Sequence, residues 1–308
     1  MEGRKVQVMK STNVRVNELA ARVALAGVQT LDGASPELAA LVAERLMFRT
    51  RRREAAVWER AVLSTAERFA VHSASGRVEA WSWGRGPVVI LAHGWNGRGS
   101  QLGAFVEPLL EAGFQVVAFD APGHGASDGS TSSLVHFANA FDAVVDAVRP
   151  FFQPISGVVA HSMGGAAVMF ALNRAQNRAR VTSEPGVTPP RLVFIAPPID
   201  LHDFVSTVST GLGLSEPTEQ ALSSLVEARL GHRMADLQAL RHATSMRAPL
   251  LVMHDEQDRA VPLECGESLV QAWPGAELRK SSGLGHNRIL RDPESIATAV
   301  AFLRSKEK

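Results

Sequence analysis

The chain lacks most of what would tie it to a membrane, a metal or an oxidising compartment. One cysteine, Cys265, stands in 308 residues, so no disulfide can close within the chain. Charge of one sign is missing too: 32 Lys and Arg face 31 Asp and Glu, and a net charge of +1 gives no long-range pull on nucleic acid or an anionic surface. No apolar stretch is long and uncharged enough for a membrane span or a leader core, because Arg22 interrupts the one candidate near the N-terminus. These absences lead us to expect a cytoplasmic protein with no nucleic-acid partner and no stable membrane insertion. Neither G-x-x-x-x-G-K nor G-x-G-x-x-G occurs. "LHD" (201–203) and "MHD" (253–255) have no companions at ligand spacing, so no cofactor and no metal are expected. The densest basic run, "RTRRRE" (49–54), reads as a solvated helix face.

What the chain does have is pattern. Residues 1–65 carry no strand signal. "NELAARVALAGVQTL" and "SPELAALVAERLMF" space apolar residues by three and four, as amphipathic helices do. Ser35 can cap the second of these, with Pro36 at its first helical position. The two helices are expected to pack on the same chain; homo-oligomerisation or membrane contact are the other roles open to them. The pattern changes near residue 66, where "RFAVHSA" and "RVEAWSW" alternate around a Ser-Gly turn, a hairpin signal. Then "PVVILAH", "FQVVAFD", "SGVVAHS", "RLVFIAP" and "PLLVMHD" follow as short apolar runs typical of strands covered on both faces, with "AELRKSS" as a weaker sixth. Helical patterns separate them. Buried strands alternating with helices predict a mostly parallel sheet in a three-layer α/β domain. The interval from about 198 to 247 is too long for a plain connection and carries apolar residues at helical spacing, among them Phe204 and Leu222. It reads as a helical cap insertion above the carboxyl ends of the strands. The expected organisation is an N-terminal helical extension, 1–65, and an α/β domain, 66–308, that contains the insertion.

One serine stands out. In "VVAHSMGGAA" (158–167), Ser162 sits between an apolar strand pattern and a run of very small residues. A strand that turns directly into a helix at Ser162 would force its hydroxyl above the sheet, and would leave no room for bulk two residues before or after. Ala160 and Gly164 satisfy that demand. The amide of Met163 would then open a helix, where unpaired N–H groups favour an anion. An acyl-transfer site also needs a base and a carboxylate to orient it. "HDEQDRAVP" offers Asp255, Glu256 and Asp258 after a strand, and "GLGH" offers His286 in a Gly-rich loop.

Five stretches in this order, "LAHGWNG" (91–97), "FDAPGHGASDG" (119–129), "AHSMGG" (160–165), "HDEQDRAVP" (254–262) and "GLGH" (283–286), resemble the α/β-hydrolase fold superfamily, in particular its serine esterase and lipase-like members. The resemblance runs from about residue 66 to the C-terminus. It implies Ser162 as nucleophile, His286 as general base and acid, and Asp258, shortly before Val261 and Pro262, as the orienting carboxylate, with Asp255 left to the turn. It also implies an oxyanion hole of the Trp95 and Met163 amides, where losing one donor costs on the order of 10²–10³ in rate. Trp95, Asn96 and Phe204 are the candidates for a substrate pocket. His93 and His124 are expected to be structural, and His161 to point away from the serine. The implied reaction is hydrolysis of a short to medium, neutral or hydrophobic carboxylic ester through an acyl-enzyme. Thioesters, lactones and carbon–carbon bonds beside a ketone share the same triad, and a non-catalytic ligand receptor on this scaffold is the competing class.

Overall fold

The computed structural model describes residues 25–148, 155–182 and 189–305. These divide into two compact units. Described residues up to Phe48 group with Leu201–Met234, and Arg49–Asp200 groups with the residues from Ala235 onward.

The first unit is helical. A helix through residues 25–34 (α1) precedes α2 (Pro36–Phe48), and the later segment supplies α7 (Leu201–Leu212) and α8 (Glu216–Leu230). In α2 half of the buried positions are alanines, Ala39, Ala40 and Ala43, which lets α8 approach with Leu222, Val226 and Leu230 buried. Polar links cross the same seam. Glu44 pairs with Arg229, whose guanidinium lies 4.6 Å over the Phe48 ring. The Asp32 carboxylate accepts the Ser215 amide at 3.1 Å and its hydroxyl at 2.9 Å. The first half of the helix read over 17–31 lies outside the described residues.

The second unit is the α/β domain. Its eight strands are β1 (Glu67–Ser73), β2 (Gly76–Trp83), β3 (Val88–Ala92), β4 (Gln115–Phe119), β5 (Ile155–His161), β6 (Arg191–Ile195), β7 (Leu250–Asp255) and β8 (Glu277–Ser281). They form one sheet in the order β1-β2-β4-β3-β5-β6-β7-β8, antiparallel from β1 to β4 and parallel thereafter. Every residue of β3, β4 and β7 is buried, as strands covered on both faces require. β8 is the charged edge strand, which explains its weak apolar signal. Alternation divides the core between the two faces. Val89, Leu91, Val116, Val159, Val193 and Leu251 share one cluster with Phe105, Leu109, Ile296 and Leu303, which come from α4 (Val106–Glu111), the 3-10 turn before it, and α12 (Pro293–Arg304). The other face carries α5 (Leu134–Val148), α6 (Met163–Thr182) and α10 (Leu263–Ala272), with α9 (Ala239–Ala243) packed on α6 and α10 and Phe194 edge-on to Trp273 at 6.2 Å. No helix among the described residues is long and apolar enough to cross a membrane.

The basic run is a correction. Residues 49–54 form no helix. They run as an extended strap, beginning with an antiparallel bridge from Arg49 to Thr131. The Thr50 hydroxyl donates to the Gly123 carbonyl at 2.7 Å, and the Arg52 guanidinium donates to the carbonyls of Gly125 at 2.6 Å and Gly129 at 2.7 Å. A helix here would stack four like charges within two turns. The strap instead gives its donors to loop carbonyls that helix and sheet leave open. The short helix that follows, α3 (Val57–Leu63), was not legible as an element.

Candidate active site

Ser162 closes β5 and immediately precedes α6, at φ +52°. For a residue other than glycine this left-handed conformation costs about 1–2 kcal/mol, and the surroundings hold it there. The Ser162 amide donates to the Ile195 carbonyl at 2.8 Å, and the Ser162 carbonyl accepts from Gly165 at 2.8 Å. Small neighbours are obligatory. A methyl group on Gly164 would lie 2.6 Å from the carbonyl oxygens of both Ala92 and His93, and one on Gly165 would lie 3.2 Å from Pro197. The first turn of α6 therefore rests directly on the end of β3.

The loop after β7 carries the acids. Asp258 Oδ2 lies 2.7 Å from His286 Nδ1, while Oδ1 accepts the amides of Ala260 at 2.8 Å and Val261 at 3.0 Å. Burial works to raise the Asp258 pKa, but the bond from His286 and these two amides outweigh it and hold the carboxyl below its usual range. An ionised carboxylate can only accept, so Nδ1 of His286 carries the proton and Nε2 is left as the acceptor. Asp255 is spent otherwise: it accepts the Gln257 amide, the Ser281 hydroxyl and the Leu284 amide, each at 2.9 Å, joining β7 to β8 and to the loop of His286. Glu256 is exposed. His254, buried at the end of β7, donates from Nε2 to the Val261 carbonyl, 3.0 Å away, and the same nitrogen lies 3.7 Å from Asp258 Oδ2. Since a carbonyl only accepts, Nε2 bears the proton and tethers the acid loop.

The loop after β3 is a turn from Gly94 to Gly97, closed by a 3.0 Å bond from the Gly97 amide to the Gly94 carbonyl. Asn96 takes φ +54°, a conformation Asn tolerates better than most residues. Two neutral histidines fix the turn. His93 Nδ1 donates to the Gly94 carbonyl at 2.7 Å while its Nε2 accepts the Ala121 amide at 2.9 Å. His124 Nε2 accepts the Asn96 amide at 3.0 Å while its Nδ1 donates to the Pro122 carbonyl at 3.0 Å. Each ring uses one nitrogen as an acceptor, so protonation would destroy a bond. Burial accordingly lowers His93 to about 4, and burial together with the neighbouring His93 lowers His124 to about 3. With the Asn96 amide engaged, the Trp95 and Met163 amides are left without partners among the described residues. A methyl group on Gly94 would lie 3.0 Å from Ser162 Cβ, which places this turn directly against the serine.

The expected pocket residues are distributed otherwise. The Trp95 ring stacks on Phe137 at 6.2 Å and meets His124 edge-on at 5.4 Å. Asn96 Oδ1 accepts the Arg51 amide of the strap at 2.8 Å. Phe204 lies half-buried on α7 of the helical unit. His161, expected to be a bystander, instead reaches the loop of His286: its Nε2 donates to the His286 carbonyl at 2.9 Å. No residue-type signal marks a histidine whose partner is a main-chain carbonyl 125 positions away. Among the described residues there is no group of three His, Cys, Asp or Glu side chains placed to hold a metal.

Comparison with known proteins bears on this geometry. A family model described as "Alpha/beta hydrolase family" matches residues 89–299. The chain is 28% identical over 251 residues to the pimeloyl-[acyl-carrier protein] methyl ester esterase of Methylococcus capsulatus, covering 70% of this chain and 94% of that protein. It is 30% identical over 240 residues to a 2-hydroxy-6-oxononadienedioate/2-hydroxy-6-oxononatrienedioate hydrolase of Dechloromonas aromatica, covering 64% and 80%. An esterase structure from Pyrococcus furiosus superposes with a TM-score of 0.60 at 19% identity, over 83% of this chain and 98% of that one.

Proposed function

The chain belongs to the alpha/beta hydrolase family, and on that premise we propose that it is a serine hydrolase that cleaves carboxylic esters through an acyl-enzyme. The observation that carries the reading is the 2.7 Å bond from His286 to the Asp258 carboxylate, together with the bond by which His161 ties the loop of His286 to the nucleophile elbow. Asp258 keeps the His286 proton on Nδ1, so Nε2 takes the proton of the Ser162 hydroxyl as its oxygen attacks the substrate carbonyl. The amides of Trp95 and Met163, free of other partners, receive the developing oxyanion. At Met163 the α6 terminus adds its positive end to that field. His286 then returns the proton to the leaving alcohol, and activates the water that releases the acid.

Esterase names among the relatives favour an ester as the bond cut. We propose short to medium neutral esters as substrates and a cytoplasmic location. A second reading has one specific support. The substrate named for the Dechloromonas relative has a ketone and two carboxylates but no ester, so its hydrolysis must break a carbon–carbon bond. One experiment separates these readings and tests both. A fluorophosphonate probe should label the wild type and not Ser162→Ala. A panel of nitrophenyl esters of increasing acyl length, with a lactone, a thioester and a vinylogous 1,5-diketone, should give turnover with the esters first. A wild type that neither labels nor turns over any of the panel sinks the serine-hydrolase reading.

A further inference from the structure

His161 has no step in the chemistry above, yet it stands beside the elbow, the base and the oxyanion turn. It is the last residue of β5, one peptide bond before Ser162. Its ring is buried and lies 4.6 Å from the ring of His286, centroid to centroid. Because Nε2 donates to the His286 carbonyl, Nδ1 is a bare lone pair, buried and without a partner among the described residues. A methyl group on Gly94 would lie 3.0 Å from that Nδ1 and 3.0 Å from Ser162 Cβ. Elbow, base and oxyanion turn therefore meet around a single imidazole.

The base sits on a backbone that needs an anchor. His286 lies in α11 (Gly285–Arg288), a single turn of helix that opens on Gly285 at φ +62° and follows Gly283 at φ +87°. Two residues with such freedom make a pivot. A four-residue helix also cannot satisfy its own carbonyls, so the His286 carbonyl must find a partner outside it. Asp258 fixes the ring at Nδ1 and Asp255 holds the Leu284 amide two residues earlier, but neither bonds the His286 carbonyl itself. We propose that His161 is a positioning residue: its Nε2–H bond to the His286 carbonyl sets where the base imidazole stands relative to the Ser162 hydroxyl. Asp258 and His161 hold the same residue at two points, one at the ring and one at the main chain. A core histidine needed only for its volume would not have to donate to the base's own carbonyl, nor leave its second nitrogen unpaired to do so.

The inference rests on the ester-hydrolase reading for its activity readout, and a second readout is independent of turnover. His161→Gln carries an amide nitrogen to the place of Nε2, whereas His161→Asn stops near Nδ1 and cannot reach the carbonyl. Both are small, neutral and polar. With nitrophenyl acetate, we expect kcat of the Asn variant to fall by about 10²-fold with KM nearly constant, the loss associated with a misplacement of about 1 Å, and the Gln variant to recover most of it. Proton NMR supplies the second readout: the Nδ1–H of His286 bound to Asp258 gives a downfield resonance, identified by its absence in Asp258→Asn. It should stay sharp in wild type and His161→Gln and broaden or vanish in His161→Asn. Equal kcat in all three folded proteins, equal losses in both variants, or a sharp resonance in the Asn variant overturns the proposal. Should the Asn variant not fold, a folded Gln variant decides: a loss of about 10²-fold in its kcat counts against the anchor and recovery counts for it. A wild type inactive on every ester ends the functional reading alone, since the resonance still reports on the anchor.

Discussion

Acid should unfold this protein well before its carboxylates are neutralised, because three buried histidines must take up protons to do so. His93 is held neutral down to about 4, and His124 and His161 down to about 3, burial being the first cause in each. In the unfolded chain each titrates near 6.5. The sign follows from linkage. Below about pH 6.5 the unfolded state binds three protons that the folded state refuses, so stability falls as the pH drops, and it is complete above about pH 7. Integrated from pH 7 to pH 5, each ring costs about 2 kcal/mol and the three together about 6 kcal/mol, against a typical domain stability of about 5–15 kcal/mol. Near pH 5 the slope should approach three protons, about 4 kcal/mol per pH unit. Asp120 acts in the opposite sense, since burial raises its carboxyl pKa, and so blunts the slope. The assay is urea denaturation at half-unit steps from pH 7.5 to 4.5, in wild type and in His124→Gln, which should remove one proton from the slope. A stability that is flat from pH 7 to 5, or that depends on one proton or fewer, refutes the assignment of these rings as neutral acceptors.

Three further outcomes follow from the geometry. Asp258→Asn keeps the bonds from Ala260 and Val261 but presents an amide N–H to His286 Nδ1, which reverses the tautomer; kcat should fall about 10⁴-fold with the melting temperature nearly unchanged, and a loss below tenfold contradicts the reading. Gly164→Ala puts a methyl group 2.6 Å from two main-chain carbonyls, so α6 must shift; about 1–3 kcal/mol of stability should be lost in thermal melts, together with turnover, because Ser162 moves with the helix. Asn96→Ala loses the bond from the Arg51 amide and places alanine at φ +54°, whereas Asn96→Gly loses only the bond; the glycine variant should melt higher, the difference being about 1 kcal/mol in chemical denaturation.

The parts of this molecule that could be read from the chain are those whose cause is local. Every strand placed by an apolar run is present, because an unbroken run such as Val88–Ala92 suits only a strand buried on both faces. The elbow was readable because close packing dictates small residues at fixed offsets from Ser162. Other features depend on partners far along the chain. The arginines of 49–54 look like a helix face until the loop at 123–129 offers its carbonyls. Asn96 reads as a ligand contact until the Arg51 amide reaches it across 45 residues. His161, His254 and His124 all bond main-chain atoms, which every residue possesses, so no letter in the sequence could announce them.

The helical unit has a consequence for how the protein is made. Glu44 and Arg229, which pair across α2 and α8, are 185 residues apart. At translation rates of about 5–20 residues per second, α2 emerges roughly 10–40 s before its partner exists. For that interval Met47 and Phe48, destined for burial, have no cover from α8, while the α/β strands are still being synthesised. The α2 helix thus leaves the ribosome well before the helix that shelters it, and its apolar face must wait uncovered for that long.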